Sequence, residues 1–176
     1  MDPRPSLLGN SSTIGYIAID SWISETESIR RSRLHPFIVG LDIEWRPSFS
    51  RNVQNKVATL QLCVGRLCLI VQLIHTSYIP RSLSNFLGDA SYTFAGVGIQ
   101  SDADKLLRDY GLRVASMVDP SFPAANQLNK RELMNAGLKD LETAVLGKTV
   151  NKPVNIATGR WDDEWLTEDQ VKCACI

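Results

Sequence analysis

Long apolar runs, a charged-then-apolar leader, low-complexity tracts, internal repeats and an excess of charge of either sign are all missing from this sequence. Nowhere do about 18 apolar residues follow one another, so no segment reads as a transmembrane helix. Met1 to Asn10 does not have the pattern of a secretory leader. The expectation is a soluble protein of the nucleus or cytoplasm, not secreted and without a membrane partner. Nineteen Lys and Arg face 19 Asp and Glu, so no global field draws in nucleic acid. A polyanion would have to be held by local arrangement or by metal ions. Histidine is scarce, and neither His35 nor His75 has a nucleophile or ligand companion in sequence; they take no role. The cysteines at 63, 68, 173 and 175 show no CxxC spacing and no nearby histidine, which argues against a zinc site. Cys63 and Cys68 sit in apolar runs and read as small core residues.

What is present is an ordinary globular composition, 44% hydrophobic and 22% charged over 176 residues, which suits one domain with a substantial core. Residues 1–12, rich in Pro, Ser and Asn, read as a flexible tail ahead of a domain over 13–176. Thr13–Ile19 (TIGYIAI) reads as a first strand, followed by a helix from an Asp20 or Ser21 cap through Arg33. Phe37–Trp45 (FIVGLDIEW) is a near-continuous apolar run broken by Asp42 and Glu44, as in a central strand buried on both faces. Lys56–Val64 and Leu67–Leu73 read as two further strands joined at Gly65-Arg66 in a tight hairpin. The texture then alternates. A helix over Pro80–Leu87 leads to a strand over Tyr92–Ile99 and a helix over Ser101–Tyr110. A short strand, Ser116–Asp119, precedes helices over Pro120–Leu128 and Leu138–Leu146. Gly147–Gly159 reads as a loop, and Thr167 starts a last helix with Gln170 near the capping-box position. The fold class is α/β: three antiparallel strands, then alternating helices and strands in one mixed sheet, with helices on both faces.

Two carboxylates two apart on a strand project from the same face. Burying Asp42 and Glu44 together is costly unless cations lie between them, and an all-oxygen pair selects hard ions such as Mg²⁺ or Mn²⁺. Asp-x-Glu alone says little, since Asp162-Asp163-Glu164 holds a second copy in a polar stretch. The alternative for Asp42 and Glu44 is a pair at a strand end facing solvent. Asp102 stands in the first turn of the helix after Tyr92–Ile99. It reads either as a helix-dipole acid or as a ligand-binding acid at the C-terminal end of a strand, where open α/β sheets bind ligands. Gly96 and Gly98 would permit close approach there. Trp45, Trp161 and Trp165 offer faces for base stacking but suit a core equally well, and Arg46 and Arg51 follow the acidic strand closely enough to meet phosphates.

FIVGLDIEWRP, KVATLQLCVGRLCLI, FAGVGIQSDADKL and RWDDEWLTEDQVKCACI, in this order, resemble the Werner-syndrome-like 3′-5′ exonuclease domain of the DEDD group, small plant-type members above all. The resemblance runs from about Thr13 to the last residue. It implies an RNase H-like fold and hydrolysis of phosphodiester bonds from the 3′ ends of single-stranded or 3′-ended DNA or RNA. Asp42, Glu44 and Asp102 would be the catalytic, metal-binding residues for two Mg²⁺ or Mn²⁺ ions, with Asp104 as the weaker register. Nucleic-acid contacts fall to Trp45, Arg46 and Arg51, and some relatives form rings, so a homo-oligomer is an option. The third motif departs from the pattern. Its water-orienting Tyr is replaced by Cys173, a weak donor, and its final Asp would fall at 177. The expectation is a domain truncated in its last helix with impaired turnover, by about 10²-fold or more by analogy with loss of one charge-stabilising donor. The competing expectation is a catalytically inactive module of the same fold that binds nucleic acid or protein.

Overall fold

The computed structural model describes residues 4–8, 12–32, 37–48, 50, 54–148, 156 and 158–175, with the backbone alone for 4–8 and 12–16. Its centre is a six-stranded sheet formed by β1 (Arg4–Leu8), β2 (Phe37–Glu44), β3 (Thr59–Val64), β4 (Leu67–Val71), β5 (Tyr92–Ala95) and β6 (Met117–Val118), in the order β1-β4-β3-β2-β5-β6. β2, β3 and β4 are antiparallel neighbours, whereas β1 on β4, β5 on β2 and β6 on β5 are parallel. The antiparallel meander followed by parallel additions is the mixed α/β architecture expected from the sequence. Two-residue Gly65-Arg66 closes the β3–β4 hairpin with Gly65 at φ 60, a backbone region open to glycine at little cost.

The N-terminal region differs from its sequence reading. Arg4–Leu8 is an edge strand rather than a loose tail, and α1 spans Ser12–Arg31, so Thr13–Ile19 is helical. The β-branched TIGYIAI segment favours a strand by local propensity. Tertiary packing overrides that preference: Ile19, Trp22, Ile23 and Thr26 fall at helical spacing and are all buried, and Trp22 meets Phe86 edge-on at 5.6 Å. Phe86 belongs to α2 (Arg81–Gly88). α3 (Ile99–Tyr110) is capped by Gly98, three residues before the expected Ser101 cap. α4 (Ser121–Leu128) and α5 (Leu138–Leu146) follow as expected. The last described helix, α6 (Glu168–Ala174), carries a complete capping box between Thr167 and Gln170. Most of the expected loop over Gly147–Gly159 lies outside the described residues.

The main core occupies one face of the sheet. Phe37, Val39, Leu41 and Ile43 of β2, Leu60 and Leu62 of β3, Phe94 of β5 and Leu106 of α3 pack there with α1 and α2. β2 is therefore buried on one face, not two: Phe37, Val39, Leu41 and Ile43 point into the core, while Ile38 and Asp42 are exposed. β3 and β4 are the strands enclosed on both sides. On the opposite face a smaller core, built on Ala58, Cys68, Ile70, Trp161, Val171 and Ala174, covers part of the sheet. The rest of that face stays open beside β2, and the acids stand there.

Candidate active site

Asp42 and Glu44 occupy alternate positions of β2 on the face away from the main core. Register places Gln61 opposite Asp42 and Thr59 opposite Glu44 on β3. Both are fully buried, and the Gln61 Nε2 donates to Thr59 Oγ1 at 2.6 Å while Gln61 Oε1 has no partner. A buried amide and hydroxyl thus stand beside the two carboxylates. The sequence reading passed over them, although a lone Gln within KVATLQLCV was a visible signal that this strand's second face is not a plain core.

Asp102 reaches the same place from the next crossover. β5 runs parallel to β2 and ends level with Gly40. The chain turns through Gly96, Val97 and Gly98 into α3, whose first turn carries Asp102. A Cβ on Gly96 would collide with the Leu41 carbonyl oxygen, so the junction lies directly against β2 one residue before Asp42. Gly98, at φ 73, is held by Asp119, whose carboxylate accepts from Gly98 N at 2.7 Å and from Ser121 N and Oγ.

Burial first, and then the negative charges of Asp42 and Glu44, push the Asp102 carboxyl up to about 7. Its neighbour Asp104 is exposed and accepts from Gln100 Nε2 at 3.0 Å. The charges of Asp42 and Glu44 thus both reach Asp102. Among the described residues no group of three or more Asp, Glu, His or Cys is placed so that it could hold a metal ion. The donor set is all carboxylate, the chemistry that Mg²⁺ and Mn²⁺ favour, and a cation among the three would offset the repulsion that Asp102 feels. By residue type Asp42, Glu44 and Asp102 suit a divalent ion.

Two hollows flank the acids. A cleft of about 450 Å³ lies over the sheet beside Asp42, Gln61, Cys63 and Gly96, walled by Leu138, Lys139 and Glu142 of α5 and by Cys173 and Ala174 of α6. A second hollow of about 480 Å³ lies beside Asp102, between Trp45, Asn55 and the α3 residues Lys105 and Arg108. Lys105 ties that side together: its Nζ donates to Asn55 O at 2.6 Å, pairs with Asp109 at 3.1 Å and lies 5.2 Å from the centre of the Trp45 ring.

The expected nucleic-acid contacts are dispersed. Trp45 is 38% exposed at the rim of the second hollow. Arg46 pairs with Asp162 at 3.4 Å, and Arg51 lies outside the described residues. Trp161 is wholly buried in the smaller core, whereas Trp165 is 71% exposed. The second Asp-x-Glu copy is structural where it is described: the backbone of Asp162 and Asp163 receives His75 Nε2 and Gln72 Nε2. Lys139 is a cleft residue that sequence reading missed, because only the fold brings α5 over β2.

A sequence model of the 3'-5' exonuclease family matches residues 16–175. The chain belongs to the 3′-5′ exonuclease family. Within this family, a 3'-5' exonuclease of Arabidopsis thaliana is 36% identical over 138 residues, which are 77% of this chain and 47% of that protein. The mouse bifunctional 3'-5' exonuclease/ATP-dependent helicase WRN is 36% identical over 157 residues, 88% of this chain and 11% of the relative. The human Exonuclease 3'-5' domain-containing protein 2 is 35% identical over 156 residues, 84% and 24% of the two chains. This exonuclease-family chain therefore spans about half or less of these relatives. Among solved structures, an EXD2 exonuclease domain soaked in Mn and GMP aligns with a TM-score of 0.53 at 32% identity, covering 88% of this chain and 76% of that one. Escherichia coli RNase D aligns with a TM-score of 0.71 at 19% identity over 99% of this chain and 41% of its own. The mixed sheet is thus the RNase H-like fold of these exonucleases.

Proposed function

We propose that this chain is a metal-dependent 3′-5′ exonuclease whose Asp42, Glu44 and Asp102 hold two divalent ions, and that it acts on single-stranded or 3′-ended DNA or RNA. What supports this reading is that the charges of Asp42 and Glu44 both act on the Asp102 carboxyl, across the β5–α3 junction. When bound, such ions clamp the attacking and leaving oxygens of an in-line displacement. The chain's own side chains do the rest. Asp42 and Glu44 fix the ions against a rigid central strand, Asp102 closes the set from α3, and Gln61 and Thr59 brace the strand beside them. The cleft alongside Asp42 has room for a terminal nucleotide, with Lys139 at its wall for the phosphate. EXD2 exonuclease domains were soaked with Mg or Mn and with GMP or dGMP, which supports both the ion type and openness to either sugar. A homo-oligomer is a further proposal that sedimentation would settle.

The test is digestion of 3′-labelled single strands of DNA and of RNA with Mg²⁺ or Mn²⁺. The expected result is stepwise shortening from the 3′ end, abolished by EDTA and by Asp42→Asn. No cleavage together with Mn²⁺ affinity unchanged by Asp42→Asn would overturn the proposal. One observation favours the competing reading of an inactive binding module: Cys173, at the motif position where the family has Tyr, lines the same cleft as Asp42. Under the exonuclease reading Cys173→Tyr raises turnover by about tenfold or more. A module without catalysis binds a labelled single strand and gains no turnover from this substitution.

A further inference from the structure

Cys63 and Cys68 face each other across the β3–β4 hairpin, one pair in from the Val64–Leu67 pair at the turn. In a two-residue hairpin that second pair is the non-hydrogen-bonded one, with Cα atoms about 4.5 Å apart, inside the roughly 4.4–6.8 Å that disulfides span. The Sγ atoms already lie 3.3 Å apart, so bond formation needs a small side-chain rotation and no backbone change. Their surroundings differ. Cys68 is 2% exposed, whereas Cys63 is partly exposed and lines the cleft beside Asp42. Cys68 has a second engagement with α6: its Sγ lies 3.7 Å from the Ala174 carbonyl and shares a hydrogen bond with the Cys175 thiol.

We propose that Cys63 is an oxidation site for hydroperoxides, that Cys68 converts the product into a Cys63–Cys68 disulfide, and that this bond releases the end of α6 from the sheet. The Cys63 thiolate attacks the peroxide O–O bond, giving Cys63 sulfenic acid and, after protonation of the leaving oxygen, water or an alcohol. The Cys68 sulfur then attacks the Cys63 sulfur and expels water. Two thiols and one hydroperoxide thus yield one disulfide, one water and one water or alcohol; the peroxide is the oxidant. Cys63 is the partner that opens onto the cleft, so a hydroperoxide reaches its sulfur rather than that of the 2% exposed Cys68. Once its sulfur is bonded to Cys63, Cys68 has no proton left for Cys175 or for the Ala174 carbonyl. α6 then loses the hydrogen bond that this one thiol proton gives its C-terminal end, and α6 carries Cys173 in the cleft wall. The proposal rests on the thiol geometry and is independent of nuclease activity.

The experiment exposes the folded full chain to hydrogen peroxide, alkylates remaining thiols and maps peptides by mass spectrometry without reduction. The expected result is loss of two of the four free thiols as a Cys63–Cys68 disulfide reversed by dithiothreitol, with Cys173 and Cys175 alkylated. Cys68→Ala should instead leave a dimedone-reactive sulfenic acid on Cys63, and Cys175→Ala should leave the disulfide intact. Hydrogen exchange across residues 168–174 should quicken on oxidation. A first disulfide between Cys68 and Cys175 or between molecules, a sulfenic acid on Cys175, or no reaction at Cys63 would overturn the oxidation site. Unchanged exchange in α6 would overturn the release.

Discussion

At the residue scale, the site sets stability against binding. The folded-state carboxyl of Asp102 lies near 7 against an ordinary 3.8, so in metal-free protein the folded state holds that proton more tightly than the unfolded state does. Below about pH 4 both states are protonated and nothing is lost. Between about 4 and 7 the unfolded state ionises first and stability falls as pH rises; above 7 the whole penalty is present. Asp102→Asn removes it. In EDTA the variant should melt higher than the parent at pH 7.5 by about 2–4 °C, a net gain on the order of 1 kcal/mol, with little difference at pH 4. Mn²⁺ should raise the melting point of the parent and leave that of the variant nearly unmoved. A parent that melts no lower than the variant at pH 7.5 in EDTA would show that Asp102 is not strained. The opposite case is Asp109. Burial pushes its carboxyl up, yet the Val57 N–H at 2.9 Å, Lys105 and Arg108 outweigh this and hold it below the usual range. That acid stabilises the fold above its unfolded pKa and loses its contribution as pH falls through its lower folded-state value.

Elements decide whether such residues meet. β2 was legible as a strand because an apolar run with two interrupting acids has few other homes, and the hairpin was legible from Gly65-Arg66. The partition of β2 between a core face and an open face was not legible, since Ile38 and Gly40 look as apolar as Val39 and Leu41. α1 was misread over Thr13–Ile19 for the matching reason: local β-branched composition is outweighed by a buried stripe visible only once α2 is opposite it. The β5–α3 junction is the element most sensitive to change. Gly96→Ala forces a Cβ into the Leu41 carbonyl, where no flexible side chain can yield, and should cost about 1–3 kcal/mol while weakening Mn²⁺ binding. Gly98→Ala meets open space at φ 73, so its cost of about 1–2 kcal/mol is conformational alone and Mn²⁺ affinity should hold. Calorimetric melting with Mn²⁺ titration separates the two; equal loss of affinity in both would refute the contact argument.

Across the whole molecule, two cores of unequal size divide the work. The large one, between the sheet and α1 to α3, sets overall stability. The small one around Trp161 seats α6 against the second face and thereby shapes the cleft. Trp161→Ala should remove about 3–5 kcal/mol from this region, and amide exchange in residues 168–174 should rise well before exchange in β2 or β3. Uniform loss of protection would mean that the two cores unfold as one. Alternation on FIVGLDIEW was enough to put Asp42 and Glu44 on one side of a strand, because period two is a property of the extended backbone itself. The motif order was enough to indicate the exonuclease family, and glycine at 65 was enough to mark the turn. Only the tertiary structure decided which side of β2 stays open, that Asp102 arrives beside the pair, that Gln61 and Thr59 back it, and that Cys63 touches Cys68 while Cys68 touches α6. These depend on parallel crossovers and on helices far away in the chain, and no local pattern encodes the distance between segments that only packing brings together.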